Sequence, residues 1–105
     1  KFADAENYYR WYLAELPPDH SDIAHCYHGL GRVAMDKGDY NRSLELLYKA
    51  LHLFEYANDH MMAADTYRSI GLAFYHQGNA EQAISCYEKA LVIYQQCVGD
   101  DNREV

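Results

Sequence analysis

The fold is decided by residues 64–93, which read ADTYRSIGLAFYHQGNAEQAISCYEKALVI. A similar pattern lies 40 residues earlier, at 24–53, and reads AHCYHGLGRVAMDKGDYNRSLELLYKALHL. Seven positions are identical between the two copies: Ala24/Ala64, Tyr27/Tyr67, Gly31/Gly71, Gly38/Gly78, Lys49/Lys89, Ala50/Ala90 and Leu51/Leu91. Self-similarity at a fixed period of this size is typical of repeat proteins, in which each unit packs on the next.

Each copy predicts two antiparallel helices joined by a tight turn. In the first half of the later copy, apolar residues recur every three or four positions, as one face of a helix requires: Tyr67, Ile70 and Phe74. Gly78 then offers the left-handed backbone that ends many helices, and Asn79 can cap the helix that follows. The earlier copy has Gly38 and Asp39 at the same places.

The second-helix pattern occurs once more near the start, where Phe2–Leu13 aligns with Tyr40–Leu51 at a shift of 38. Pro17 and Pro18 then end that helix, because proline cannot continue one. The sequence therefore predicts five helices, at about 2–16, 22–37, 40–57, 60–77 and 80–98. It divides the chain into the second helix of an incomplete unit (1–20), two complete units (21–58 and 59–99) and the start of a linker to a further unit (100–105).

These spacings resemble the tetratricopeptide repeat, a helix–turn–helix unit. Over 64–93 the resemblance comprises Ala-x-x-Tyr-x-x-Ile-Gly-x-x-Phe, a Gly-Asn turn and Ala-x-x-x-Tyr-x-x-Ala-Leu. Residues 24–53 follow it with Ala34, Ser43 and Leu47 as variants. The resemblance implies an all-α fold, a right-handed α-solenoid of antiparallel helix pairs.

The period departs from the common form of this family. It is 40 residues here, whereas the usual tetratricopeptide repeat has about 34. Long repeats with a linker like Leu16–Ala24 are similar to those of kinesin light chains. They also resemble arrays that follow ADP-ribosyltransferase domains in some invertebrate proteins.

Composition and charge exclude several function classes. Sixteen acidic and nine basic residues give a formal net charge of −7, and the sequence lacks the clustered Lys and Arg on which nucleic-acid binding depends. No apolar run approaches the roughly 20 residues of a membrane span. The three cysteines form no C-x-x-C pair, and their odd number disfavours a disulfide framework. We therefore expect a reducing, cytoplasmic setting and neither nucleic-acid nor membrane partners.

The resemblance implies that the first helices of successive units line a concave groove that binds peptides. Candidate peptide-binding residues are those of the two first helices that face away from the apolar stripes: His25, His28, Arg32, Met35, Arg68, Leu72, Tyr75 and His76. Arginine can hold a carboxylate or phosphate in a two-pronged fork. One interpretation is therefore a groove for an acidic or C-terminal peptide group, with Met35, Leu72 and Tyr75 supplying apolar contact. The other is that Arg32 and Arg68 pair with local carboxylates such as Asp36 or Asp65.

More specific activities are not predicted. The carboxylate clamp of some family members needs Asn in the groove, where this sequence has Arg32 and Leu72. His25 and His28 share a helix face, but a zinc site needs three or four ligands, and the spacing places no third nearby. The histidines would make the groove sensitive to pH near neutrality. No phosphate loop, G-x-S-x-G or H-E-x-x-H motif occurs, so we predict neither enzymatic activity nor a cofactor.

Three functional hypotheses remain open. The first is a protein-interaction scaffold that binds a peptide segment of a protein partner in the concave groove. The second is a non-catalytic spacer or regulatory arm of a larger, ADP-ribosyltransferase-like protein. The third is a self-associating fragment, a homo-oligomer formed through its ends, because solenoid ends need polar caps and neither end has an evident one.

Overall fold

The computed structural model describes residues 2–103, and Lys1, Glu104 and Val105 lie outside the described residues. Within this range the chain forms five α-helices and no strand: α1 (Phe2–Glu15), α2 (Asp22–Asp36), α3 (Tyr40–Tyr56), α4 (His60–His76) and α5 (Ala80–Arg103). Each helix packs against the next in sequence, and α2 also touches α4. The molecule measures 44 × 36 × 21 Å, and its thickness corresponds to two layers of helices about 10 Å across. The predicted all-α fold of five helices is confirmed.

Three turns have the same construction. In each, a residue with positive φ follows the helix: Gly38 (φ 85°), Asn58 (φ 58°) and Gly78 (φ 83°). The next residue accepts a hydrogen bond from the backbone N–H three positions on: Asp39 (3.2 Å), Asp59 (3.2 Å) and Asn79 (3.3 Å). The two glycine turns and their caps agree with the sequence. The turn at Asn58 joins two units, yet it has the geometry of the turns within a unit, because Asn tolerates the left-handed region better than most residues.

One helix end differs from its prediction. The sequence predicts that the fifth helix stops at 98 and that a linker starts at 100, but α5 continues through Gly99 to Arg103. A glycine ends a helix when it adopts positive φ, and Gly99 does not. A glycine within a helix costs only about 1 kcal/mol relative to alanine, so Gly99 alone is a weak stop signal.

Small residues let the helices approach closely. A Cβ on Gly31 would lie 2.7 Å from the Cγ of Leu47, and a Cβ on Gly71 would lie 2.8 Å from a ring carbon of Tyr87. The two glycines occupy equivalent places in the repeat, and each faces the second helix of its own unit. Ser43 strengthens the first contact, since its hydroxyl donates a 2.7 Å hydrogen bond to the Gly31 carbonyl. This close approach brings the neighbouring helices into the register on which the grooves depend.

Candidate functional site

A groove of about 620 Å³ lies between α2 and α4, and we call it the α2/α4 groove. Five of the eight predicted peptide-binding residues line it: His28, Arg32, Met35, Arg68 and Leu72. Met35 is only 8% exposed and belongs to the hydrophobic core. It therefore forms part of the groove floor and offers a ligand little surface.

The other three predicted residues lie elsewhere. His25 precedes the groove and packs edge-on against Phe54, with ring centroids 5.0 Å apart. His76 stacks on Tyr40 at the start of α3, with centroids 5.5 Å apart, and the exposed ring of Tyr75 leans against His76. The structure thus brings together the middle of the predicted surface and leaves His25, Tyr75 and His76 outside the groove.

The two arginines of the groove do not pair with local carboxylates. Arg32 and Arg68 are exposed, and neither is in a salt bridge among the described side chains. Asp65 accepts a hydrogen bond from the Tyr94 hydroxyl instead. Local pairing with Asp36 or Asp65 is therefore not formed. Both guanidinium groups keep their donors available for an external anion, one on each side of the groove.

His28 is the partly buried polar group between the two helices. Its Nε2 lies 3.4 Å from the hydroxyl oxygen of Ser69. Burial, followed by the positive charge of Arg32, lowers the pKa of His28 from 6.5 to about 4. At neutral pH the ring is therefore uncharged. The predicted sensitivity to pH near neutrality is wrong for His28, because burial moves its titration into the acidic range.

The sequence missed several lining residues: Met62, Ser69 and Tyr87. Met62, Ser69 and Leu72 share a face of α4, since residues spaced by three, four or seven lie close together around a helix. That signal was available in the sequence. Helical spacing could not have predicted Tyr87 as a lining residue. It comes from the core stripe of α5 and extends across α4 only because Gly71 has no side chain in its path.

The lining defines what the groove can bind. Its two guanidinium groups are not in salt bridges and can hold a carboxylate or phosphate, although Asp36 and Asp65 line the same groove and balance their formal charge. The neutral pair His28 and Ser69 can donate or accept hydrogen bonds, and Leu72 adds exposed apolar surface. The structure offers no group of three His, Cys, Asp or Glu within 2–103 that could hold a metal ion. Over the same range no helix has both the length and the apolar character to cross a membrane.

Helix pairs that repeat along the chain and leave an open groove between α2 and α4 define a helical-repeat protein. Comparison with protein families agrees. The family model of the tetratricopeptide repeat matches residues 22–96, and the chain belongs to that family. Tetratricopeptide repeats commonly mediate protein–protein interaction and are generally not catalytic. No curated protein matches the chain. The similarity of the long repeat to kinesin light chain arrays stays a prediction.

Proposed function

We propose that this chain is a non-catalytic interaction module that binds an acidic segment of a protein partner in the α2/α4 groove. The observation that carries the proposal is the pair Arg32 and Arg68, two exposed guanidinium groups on the two walls of one groove. Asp36 and Asp65 also line this groove, but neither forms a salt bridge with the arginines among the described side chains. In a chain of net charge −7, such cations provide a local attraction for an acidic ligand.

The remaining lining supports a peptide as the ligand. His28 and Ser69 can hydrogen-bond to a peptide backbone, and Leu72 and Met62 can pack against a side chain. Because His28 is uncharged at neutral pH, the two arginines supply the positive charge of the groove. Binding should therefore weaken as salt rises and change little between pH 6.5 and 8.

The test is the affinity for a fluorescein-labelled acidic peptide, acetyl-EELEELEE-amide, measured by fluorescence anisotropy. The double variant Arg32→Ala/Arg68→Ala should bind at least tenfold more weakly, since each charge-assisted hydrogen bond contributes about 1.5–3 kcal/mol. Lys89→Gln is the control, because it removes a positive charge outside the α2/α4 groove. A double variant in which neither the affinity nor the number of peptides bound per chain falls, or an equal loss in the control, would remove the α2/α4 groove from the binding site.

A second candidate function is self-association through α5. Three large apolar residues lie seven apart on its exposed side: Ile84 (57% exposed), Leu91 (55%) and Val98 (56%). The repeat places Leu91 on Leu51, which is only 3% exposed and packs in the core with residues of α4. The face of α3 that α4 covers is therefore exposed on α5. We propose that a second copy of the chain covers this face of α5.

Light scattering tests this association. Leu91→Glu should lower the average mass at high protein concentration, because a buried carboxylate in the contact is costly. Leu53→Glu makes the same change at an exposed leucine of α3 and is the control. A wild-type protein that stays monomeric at millimolar concentration would exclude self-association.

The third hypothesis, a spacer or regulatory arm of a larger protein, becomes the better one if neither surface binds. We also propose that the protein is cytoplasmic. Its three free cysteines, Cys26, Cys86 and Cys97, fit a reducing compartment.

A further inference from the structure

A second groove lies on the opposite side of α2, and we call it the α1/α3 groove. It has a volume of about 460 Å³ and lies between α1 and α3, which do not contact each other, with α2 as its floor. Its α2 residues, such as Leu30 and Ala34, are rotated by roughly 160° from those of the α2/α4 groove at 100° per residue. The two grooves therefore use separate surfaces of one helix.

The α1/α3 groove is basic in an acidic chain. Four of the nine basic residues of the protein line it: Arg10, Lys37, Arg42 and Lys49. It also contains Glu6 and Asp39, and the carboxylate of Asp39 caps α3 by accepting from the Arg42 backbone N–H. Positive charge thus exceeds negative charge here, whereas the chain as a whole carries −7.

The α1/α3 groove has basic residues at both ends and apolar residues between them. Because α2 runs antiparallel to both walls, Lys37 and Arg42 lie towards one end. Lys49 lies at the other end, with its Nζ 5.4 Å from the ring centroid of Tyr27. Between them the floor and wall are apolar, with Leu30 and Leu46 packed in one cluster. A ligand that fits has an apolar side chain in its middle and acidic groups towards both ends.

The repeat supplies an internal comparison. The equivalent groove between α3 and α5 keeps the same cation–aromatic pair, with Lys89 5.6 Å from the ring centroid of Tyr67. The positions equivalent to Lys37 and Arg42 are Gln77 and Gln82. The second copy folds into the same helix pair with glutamine at both positions. The fold therefore does not require the positive charges at 37 and 42.

Glu6 shows how a carboxylate sits in the α1/α3 groove. One oxygen accepts a hydrogen bond from Lys37 at 2.8 Å, and the other lies 2.7 Å from a guanidinium nitrogen of Arg10. The two cations lower the pKa of Glu6, the Lys37 hydrogen bond most strongly. An incoming carboxylate would compete with Glu6 for these cations, so Glu6 limits the affinity for an acidic ligand.

We infer that the α1/α3 groove is a second protein-binding site, which takes an acidic peptide segment with a large apolar side chain at its centre. Carboxylates of the ligand contact Arg42, Lys37 and Arg10 at one end and Lys49 at the other. The apolar side chain packs on Leu30 and Leu46. This site is independent of the α2/α4 groove, and the module would hold two acidic segments on opposite faces.

The experiment uses the same labelled peptide, acetyl-EELEELEE-amide, in the Arg32→Ala/Arg68→Ala background so that the α2/α4 groove is silent. Adding Lys37→Gln and Arg42→Gln gives the α1/α3 groove the residues found at the equivalent positions, Gln77 and Gln82, of the later repeat copy. This change should weaken binding about five- to tenfold, the range expected for two exposed ion pairs. Adding Glu6→Gln instead should tighten binding about threefold, an effect that loss of folding cannot produce.

Two controls accompany this experiment. Circular dichroism melts of all variants should match the parent within a few degrees. A peptide with Ser in place of both Leu should bind several-fold more weakly, because the apolar centre of the groove is then unfilled. The inference is overturned if the parent shows no saturable binding, if the Lys37→Gln/Arg42→Gln form binds as tightly as the parent, or if Glu6→Gln has no effect. If Arg32→Ala/Arg68→Ala has no effect on binding, the proposal for the α2/α4 groove is contradicted, but the inference of a site in the α1/α3 groove is not.

Discussion

Gly31→Ala is expected to destabilise the protein, although alanine is the better helix former. At this position α2 meets α3, and the new Cβ would lie 2.7 and 2.8 Å from two side-chain carbons of Leu47 and 3.3 Å from its backbone nitrogen. Leu47 is fully buried, so its side chain cannot move into solvent, and the backbone nitrogen is fixed by the helix. Relief of the overlap requires α2 and α3 to separate.

The magnitude follows from two opposed terms. Overpacking a filled core costs about 1–3 kcal/mol, and replacing glycine by alanine within a helix returns about 1 kcal/mol. The difference is about 0–2 kcal/mol. Because the overlap includes the backbone nitrogen of the fully buried Leu47, we expect the upper part of this range, a net loss of about 1–2 kcal/mol in the free energy of unfolding. For a chain of this size that loss lowers Tm by roughly 5–10 °C. Urea unfolding followed by circular dichroism at 222 nm measures it directly.

Gly99→Ala is the matched control. Gly99 is helical, and a Cβ there would meet no atom within 4 Å, so only the propensity gain of about 0.5–1 kcal/mol remains. The same substitution should therefore have opposite signs at the two sites. A Gly31→Ala protein as stable as the wild type would refute the argument that the absent side chain sets the distance between α2 and α3.

Other changes have equally definite outcomes. The pKa of His28 falls from 6.5 to about 4 on folding, so the unfolded chain binds the proton first and stability is lost as pH falls through this window. The free energy of unfolding should fall by about 1–2 kcal/mol after allowance for solvent screening of a partly exposed ring. Urea unfolding at pH 7 and pH 4.5 should show this loss in the wild type and not in His28→Gln. An equal loss in both would contradict the buried, neutral ring. Asp39→Ala removes the cap of α3 and should cost about 1 kcal/mol, whereas Asp36→Ala, at the C-terminal end of α2, should cost nothing; equal Tm shifts would contradict the capping role.

Local features were largely predictable from the sequence. Gly38 and Gly78 end helices and Asp39 and Asn79 begin them, because those preferences depend on a few adjacent atoms. The end of α5 was not predictable in this way. Gly99 is compatible both with a helix stop and with a helix interior, and only its backbone angle separates the two.

The site was predictable in part, for a related reason. Helical spacing places Arg32 and Arg68 on polar faces, and the structure brings them to one groove. The burial of Met35 and the lowered pKa of His28 depend on how closely α2 and α4 approach, which no spacing within one helix reveals. The α1/α3 groove is still harder to predict from the sequence. One of its ion pairs joins Glu6 to Lys37, and these residues come together only when α1 packs on α2 across the connection Leu16–Ser21.

The uniform turns at residues 38, 58 and 78 have a kinetic consequence. Each closes a loop of only about three residues, so any neighbouring pair of helices can form at nearly the same entropic cost. Since helices pack chiefly against their neighbours in sequence, structure can spread from whichever hairpin forms first. We therefore expect rapid folding with several equivalent routes. The connection Leu16–Ser21, with its two prolines, is the exception, and docking of α1 is expected to be the late step.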